Sequence, residues 1–233
     1  MSNQRINPPR IILFDFDGTL VNTTPLILRS FRATWEKVFG FTMDDARYIN
    51  TFGTLLHTAL RGLTEQCVNE GRICAVDDLT AKADELLRTY REFNLGWHDE
   101  LIEAFAGIDE VLRELKARGY GLGIVSSKMR FGVERGLNRF AMAEWFDVII
   151  TADDVTNHKP HPEPLLRALK QFDAAPHEAV YVGDSIHDIA AGRAANIATV
   201  AAAWGPFPRT ELEELKPDYL LDEPSQLLKI FTC

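Results

Sequence analysis

IILFDFDGTL, residues 11–20, is the stretch that decides the fold and the chemistry of this chain. A short apolar run, typical of a buried strand, is followed at once by two acidic side chains, Asp15 and Asp17. Two carboxylates about 4 Å apart repel each other by roughly 4 kcal/mol at an effective dielectric constant near 20, so we expect a cation beside them. Gly18 permits backbone conformations that a side chain would obstruct, and Thr19 adds a hydroxyl. The motif predicts a loop around a metal ion and a phosphate, with an acidic helix-capping turn as the alternative.

The composition is that of a globular, acidic protein. The 233 residues are 46% hydrophobic, which suffices for one α/β domain with an insertion or for two small domains. The formal net charge of −9 argues against a nucleic-acid partner or an anionic membrane surface, because both need clustered lysines and arginines.

The cysteines are Cys67, Cys74 and Cys233. They form no CxxC pair, which favours a reducing compartment. No apolar run near the N-terminus is as long as a signal-peptide core or a membrane span, so we expect a cytoplasmic protein.

Hydrophobic periodicity divides the chain into two kinds of segment. With no strand between them, four helices are predicted after Leu20: residues 24–39, a helix opened by Thr42, Asp44 and Asp45, residues 55–70 and residues 77–93. From Gly107 onward, helices such as 108–118 alternate with short apolar runs. The predicted strands are residues 10–14, 121–125, 146–150, 179–182, 197–201 and 219–221. This alternation is typical of a parallel sheet covered by helices on both faces. We therefore predict an α/β core from residues 1–20 and 107–233, with an α-helical cap, residues 21–106, inserted after the first strand.

Four of the predicted strands lead into polar residues at their carboxyl ends, where open α/β sheets bind their ligands. These residues are Asp15 and Asp17, Ser126 and Ser127, Lys159 within residues 153–160, and Asp184 with Asp188. Each group has a simpler interpretation: serines that cap a helix near Met129, a solvated lysine, and acidic residues at the start of a helix. Because the four strand ends together supply carboxylates, hydroxyls and a lysine, they favour one shared binding site instead.

These segments resemble the haloacid dehalogenase superfamily of phosphohydrolases. The resemblance covers nearly the whole chain and is carried by FDFDGTLVNT (14–23), GIVSSK (123–128), HKPHPEP (158–164) and YVGDSIHDIAAGRAANI (181–197). It implies a Rossmann-like core with a small helical cap. The segments VNT, WHDEL and TADDVTNHKPHPEP resemble those of the phosphoglycolate phosphatases and the related bacterial inorganic pyrophosphatases of this superfamily.

The resemblance also implies catalytic roles. Asp15 would be the nucleophile that forms an aspartyl-phosphate, and Asp17 would be the general acid and then the base. Ser126, with backbone amides around Ser127, would hold the phosphoryl oxygens, and Lys159 would neutralise both the phosphate and Asp15. Because dehalogenases and phosphonate hydrolases of the superfamily lack the acid at the place of Asp17, its presence favours cleavage of a phosphate ester or anhydride.

A magnesium site follows from the same resemblance. Mg²⁺ would be bound by Asp15, by the backbone carbonyl of Asp17 and by Asp184, with waters and substrate completing an octahedron. Asp188 would orient a metal-bound water from outside this shell. The turn at Gly18 and Thr19 would lie against the phosphate.

Substrate choice is expected from the cap. His57 and Arg61 lie four residues apart in a predicted helix, a spacing that puts both on one face, and we expect them to face the substrate. An exposed polar face is the alternative for both. Residues 96–99, GWHD, suit either a second hinge of the cap or a surface turn.

The sequence therefore predicts Mg²⁺-dependent hydrolysis of a small phosphate monoester, such as phosphoglycolate, or of pyrophosphate, by a monomer or homodimer. Two alternatives stay open at this point. One is a sugar-phosphate phosphomutase of the same superfamily, and the other is a catalytically silent binding module with the same fold.

Overall fold

The computed structural model describes residues 9–231, so Cys233 and the outer ends of the predicted core lie outside the described residues. Besides short 3₁₀ turns, these residues form strands β1–β8 and helices α1–α10. In chain order they are β1 Ile11–Phe14, β2 Val21–Asn22, α1 Thr24–Phe39, α2 Asp45–Ile49, α3 Leu56–Asn69, α4 Leu79–Leu101, β3 Glu103–Ala104, α5 Ile108–Ala117, β4 Gly121–Val125, α6 Arg130–Arg139, β5 Val148–Ile150, α7 Glu163–Phe172, β6 Ala179–Gly183, α8 Ile186–Ala194, β7 Ala198–Ala202, α9 Arg209–Glu214, β8 Tyr219–Leu221 and α10 Leu227–Ile230.

Six of the strands form one parallel sheet in the order β5-β4-β1-β6-β7-β8. The predicted α/β class is confirmed, and the six predicted strands all exist with small shifts of their ends. The chain builds the sheet outward from β1 through β4 to β5, and then returns to the other side of β1 for β6. The carboxyl end of β1 therefore lies where the strand order reverses, which is where such sheets bind ligands.

Helices cover both faces of this sheet, and β1 contributes to both layers because its side chains alternate. Ile12 and Phe14 belong to one apolar cluster with Leu112 of α5. Ile11 and Leu13 belong to the cluster on the other face, with Leu165 of α7. Since all four residues of β1 are buried, the loop that follows it starts from a rigid point.

Two sequence predictions between Leu20 and Gly107 are wrong. Val21–Asn22 and Glu103–Ala104 form a two-stranded antiparallel ribbon, although no strand was expected there. Strands of two residues are too short to produce a periodic pattern. The segment 96–99 is neither hinge nor turn, because α4 continues to Leu101. A single helical glycine costs only about 1 kcal/mol, and stacking of Phe93 on Trp97, with ring centroids 5.0 Å apart, supports this end of the helix.

Helices α1–α4, which we call the insert helices, lie between β2 and β3 along the chain and have a core of their own. Phe31, Trp35, Tyr48, Leu60 and Leu86 are buried in it. The ribbon of β2 and β3 therefore connects a separately packed helical layer to the sheet. Within residues 9–231, no helix combines the length and the apolar character that crossing a lipid bilayer requires.

Candidate active site

A cavity of about 590 Å³ lies between the carboxyl ends of the sheet strands and the insert helices. The loops that follow β1, β4 and β6 line it with Asp15, Asp17, Gly18, Ser126, Ser127, Lys128 and Asp184. The insert helices and their loops line it with residues that include Phe52, Gly53, His57, Tyr90, Arg91 and Asn94. Residues from distant parts of the sequence therefore meet in one cavity.

Lys159 is the centre of a buried charge cluster behind this cavity. Its Nζ lies 2.9 Å from Asp15 Oδ1 and 2.6 Å from Asp188 Oδ1, and it donates to Tyr181 Oη at 3.0 Å. The alternative of a solvated lysine is wrong, because the residue is only 4% exposed. Burial by itself would lower the pKa of Lys159, but Asp15 and Asp188 outweigh it and raise that pKa above its usual range. The lysine is therefore a permanent cation next to Asp15.

Asp188 anchors this cluster to the start of α8. Its Oδ1 accepts hydrogen bonds from Lys159 Nζ and Tyr181 Oη, and its Oδ2 accepts from the backbone N and Oγ of Ser185. Burial would raise the pKa of Asp188, but the charge and hydrogen bond of Lys159, with those of Ser185 and Tyr181, lower it. Asp188 thus caps the start of α8, as considered from the sequence, and it also holds Lys159 in place.

Three buried carboxylates are close enough to share one cation. Oxygens of Asp15, Asp184 and Asp188 all lie within 4.8 Å of one another. Burial, with Asp188 and Asp17 adding to it and Lys159 opposing it, raises the pKa of Asp15 to about 7. Burial, followed by the charges of Asp188 and Asp15, raises the pKa of Asp184 well above its usual range. Asp15 Oδ1 is also a buried oxygen without a well-directed hydrogen bond. These residues fit Mg²⁺, which prefers carboxylate oxygens.

The turn after β1 is shaped around Asp184. Thr19, which is fully buried, donates from Oγ1 to Asp184 Oδ1 at 2.9 Å. Gly18 has a φ of +82°, and a Cβ at this position would collide with the Asp184 carboxylate. Gly18 lines the cavity, whereas the Thr19 side chain points at the carboxylate behind it.

The two serines after β4 make hydrogen bonds with different parts of the protein. Ser127 donates from Oγ to the carbonyl of Gly53 at 2.7 Å, so it joins the sheet to the loop between α2 and α3. Ser126 Oγ accepts from the backbone N of Lys128 at 3.2 Å. The helix-cap alternative is wrong for both, because α6 starts after Met129 without a side-chain cap.

The structure separates the two cap residues that the sequence placed together. His57 lines the cavity, and its Nε2 lies 3.2 Å from Asp84 Oδ1 on α4. Arg61, one turn further along α3, is exposed and is not among the residues that line the cavity.

Two residues of the site escaped the sequence reasoning. Lys128 Nζ lies 2.8 Å from Asp17 Oδ1, although only its neighbours Ser126 and Ser127 had been assigned. Tyr181 donates to Asp188 Oδ1 from within β6. A polar-tipped side chain in the otherwise apolar run AVYVG was the available signal for Tyr181, whereas nothing in the sequence paired Lys128 with Asp17.

Comparison with known proteins agrees with this geometry. Residues 12–202 match the family model of the haloacid dehalogenase-like hydrolases. The chain is similar to pyrophosphatase PpaX from Bacillus cereus, with 41% identity over 221 residues that cover 95% of each chain. Among solved structures it is similar to a haloacid dehalogenase-like hydrolase from Bacteroides fragilis, with a TM-score of 0.84 and 28% identity over 94% of this chain and 100% of that chain. It is also similar to a predicted phosphoglycolate phosphatase from Haemophilus somnus, with a TM-score of 0.82 and 25% identity over 97% of this chain and 100% of that chain.

Proposed function

Because the chain belongs to the haloacid dehalogenase-like hydrolase family, we propose that it is a Mg²⁺-dependent phosphohydrolase that works through an aspartyl-phosphate. The observation that carries the proposal is the buried cluster of Asp15, Lys159 and Asp184 beside a cavity of about 590 Å³. A carboxylate held next to a fixed cation at the wall of a cavity is suited to attack a phosphoryl group.

Asp15 and Asp17 share the bond-making steps in this proposal. An Asp15 carboxylate oxygen attacks phosphorus, and the bond from phosphorus to the leaving oxygen breaks as Asp17 gives that oxygen its proton. Asp17 then takes a proton from water, which attacks the aspartyl-phosphate, so that phosphate is released and both carboxyl groups return to their starting forms. Both side chains line the same cavity, as this sequence of steps requires.

Lys159 favours the ionised form of the nucleophile, because its charge opposes the rise that burial causes in the pKa of Asp15, and it shields that negative charge from the incoming phosphate. Its distance of 2.9 Å from Asp15 Oδ1 and its hydrogen bond to Asp188 support this role. Asp188 acts through Lys159 in this scheme, because its Oδ1 accepts a hydrogen bond from the lysine at 2.6 Å. Its expected role in orienting a metal-bound water stays a prediction.

Asp15, Asp184 and the backbone carbonyl of Asp17 are the proposed magnesium ligands. When bound, Mg²⁺ would supply positive charge that offsets the repulsion among the carboxylates and the phosphoryl oxygens. The raised pKa values of Asp15 and Asp184 support this assignment, because a cation at this place would restore their ionised forms.

We propose pyrophosphate or a small phosphate monoester of the phosphoglycolate type as substrate. The support is the similarity to a pyrophosphatase at 41% identity and to a predicted phosphoglycolate phosphatase at 25% identity.

The division into a catalytic core (1–20 and 107–233) and a cap (21–106) stays a prediction that the separate core of the insert helices supports. Cytoplasmic localisation, the absence of a nucleic-acid or membrane partner, and a monomeric or homodimeric state stay predictions.

The proposal is tested by phosphate release from pyrophosphate and 2-phosphoglycolate with Mg²⁺, with EDTA, and in Asp15→Asn. We expect EDTA to abolish turnover and Asp15→Asn to lower kcat by about 10³-fold or more, as loss of a nucleophile does elsewhere. Asp77→Asn removes an exposed carboxylate outside the cavity and should retain activity.

Circular dichroism and acid-quenched mass spectra complete this test. Asp15→Asn should keep the wild-type spectrum, and only the wild type should carry one added phosphoryl group after quenching. Turnover retained in folded Asp15→Asn would remove this residue from the role of nucleophile. Faster isomerisation of a sugar phosphate than phosphate release would instead establish the phosphomutase alternative.

A further inference from the structure

The cavity contains few positive charges that are free to bind a second anion. Among the residues that line it, the cationic or potentially cationic side chains are Lys128, His57 and Arg91. Lys128 is paired with Asp17 at 2.8 Å, and His57 lies 3.2 Å from Asp84. Arg91 on α4 lines the same cavity at its solvent-exposed side, and within residues 9–231 it has neither a carboxylate partner nor a hydrogen bond. Its guanidinium is therefore available to a ligand.

Much of the wall on the side of Arg91 is apolar, although the polar side chains of His57, Tyr90 and Asn94 also line it. The insert helices contribute Ile27, Phe31, Phe52, Leu55, Leu56, Leu87 and Leu95 to the lining, and the start of α6 contributes Met129 and Phe131. Apolar walls cannot replace the water that a charged group loses on entry, so an anion in this half of the cavity needs a cationic partner.

The cationic side chains at the sheet side of the cavity are not available as partners for a second anion. Asp15, Asp17, Asp184 and Asp188 are countered by Lys128 and Lys159, and a magnesium ion would neutralise the remainder. The transferred phosphoryl group then adds negative charge of its own. A second anionic group on the leaving part of the substrate must therefore find its cation on the insert helices.

We propose that Arg91 binds the anionic group of the leaving part of the substrate, and so selects substrates in which that part is negatively charged. The substrate class is a phosphate joined to a second phosphate or to a carboxylate-bearing fragment, in preference to phosphate esters of neutral alcohols. A guanidinium suits this task because its planar fork of donors matches phosphate and carboxylate oxygens in pairs. This inference rests on the proposed phosphohydrolase function.

Two phosphate esters that differ in one group provide the test. 2-Phosphoglycolate carries a carboxylate where 2-hydroxyethyl phosphate carries a neutral hydroxymethyl group, and pyrophosphate serves as a third substrate. The variants are Arg91→Gln, Arg91→Lys and, as a matched control, Arg88→Gln. Arg88 is an exposed arginine one turn earlier on α4 that does not line the cavity.

We expect Arg91→Gln to lower kcat/KM for 2-phosphoglycolate and pyrophosphate by about 10- to 100-fold, mainly through KM, as loss of a charged hydrogen bond does. The value for 2-hydroxyethyl phosphate should change by less than about threefold, as should all values for Arg88→Gln. Arg91→Lys should recover part of the loss, since it keeps the charge without the fork. Equal losses on all three substrates, or no loss on any, would overturn the proposal.

Binding measurements in the Asp15→Asn background separate this inference from the proposed reaction. Calorimetry should show tighter binding of 2-phosphoglycolate than of 2-hydroxyethyl phosphate, and Arg91→Gln should abolish that difference. This result would support the role of Arg91 even if the wild type released no phosphate, an outcome that would defeat the proposed function alone. Equal affinities for the two esters would defeat the role of Arg91 while leaving phosphate release from both intact.

Discussion

Lys128 Nζ lies 2.8 Å from Oδ1 and 3.2 Å from Oδ2 of Asp17, so the proposed acid and base of the reaction is held by a lysine from a different strand end. The alkyl chain of Lys128 runs close beside Gly132, where a Cβ would lie 2.7 Å from Lys128 Cε. Its amine lies 5.9 Å from the centre of the Phe16 ring. The lysine stem is therefore packed between neighbouring residues while its amine contacts both carboxylate oxygens of Asp17.

We expect Lys128→Met to lower kcat/KM by about 10- to 100-fold, because Asp17 loses the partner that orients it, and well-placed acid–base catalysis is worth about 10² or more. The loss should be the same for 2-phosphoglycolate, 2-hydroxyethyl phosphate and pyrophosphate, in contrast to Arg91→Gln. Lys116→Met is the control, because it breaks an ion pair with Asp147 and neither of these residues lines the cavity. A loss confined to anionic leaving groups would show that Lys128 binds substrate instead.

The contact between Gly53 and the sheet loops predicts a position at which a single methyl group is harmful. Gly53 has a φ of +82°, its carbonyl accepts from Ser127 Oγ, and a Cβ would lie 2.7 Å from Ser185 Oγ. Gly53→Ala should therefore displace the loop between α2 and α3 and lower kcat/KM about tenfold or more, in line with the effect of small misplacements on catalysis.

Gly40→Ala is a matched control for that variant. Gly40 has a similar φ of +75° at the end of α1, but a Cβ there would meet nothing within 4 Å. Both variants should lose about 1 kcal/mol of stability from backbone strain, as measured by denaturant unfolding, and only Gly53→Ala should lose activity. Equal activity in the two variants would contradict a role for the contact with Ser185.

Magnesium should stabilise the folded protein through Asp184. Binding at about 100 times the dissociation constant contributes about 2.7 kcal/mol, which corresponds to a rise in Tm of roughly 5 to 10 °C for a protein of this size. Asp184→Asn should abolish this rise, as followed by differential scanning fluorimetry. Without metal, the variant should be at least as stable as the wild type, because it removes a buried carboxylate whose pKa is raised by burial and by Asp188 and Asp15.

Asp77→Asn again provides the control, and it should show the full magnesium effect because Asp77 is exposed and is not one of the clustered carboxylates. A normal rise of Tm in Asp184→Asn would exclude this carboxylate as a ligand. Loss of stability in metal-free Asp184→Asn would show that the hydrogen bond from Thr19 outweighs the charge repulsion.

Acid should destabilise the protein through His98 near the end of α4. Burial, with the charges of Lys128 and Arg135, lowers the pKa of His98, while Asp99 opposes the shift. The unfolded chain therefore binds a proton at this residue below about pH 6.5, whereas the folded chain resists it. Stability is present above this pH and is lost as the pH falls through it.

His98→Gln should accordingly show a smaller fall in unfolding free energy between pH 7.5 and 5.5 than the wild type, as measured by urea denaturation. Some dependence should remain, because burial also lowers the pKa of His187. His177→Gln, at an exposed site, should keep the wild-type slope. An unchanged slope in His98→Gln would assign the acid sensitivity to other groups.

The strands of the parallel sheet are short, mostly apolar runs, which is why all six could be predicted from sequence. The structure brings polar residues that follow these strands together around one cavity, as Asp15, Ser126 and Asp184 illustrate. The ribbon of β2 and β3 and the continuation of α4 could not be predicted in this way. Two paired residues leave no periodic pattern, and the packing of Phe93 on Trp97 overrides the glycine at position 96.

The amino-acid sequence by itself determined the strands of the parallel sheet and the strand ends that line the candidate site, because local periodicity and the rule that ligands bind at carboxyl ends suffice for both. Only the tertiary structure decided which charges meet. It paired Lys128 with Asp17, enclosed Lys159 between Asp15 and Asp188, and left Arg91 facing the cavity while Arg61 stayed outside. Pairings between side chains on separate elements depend on how those elements pack. The local pattern of residues does not encode the distances between separate elements.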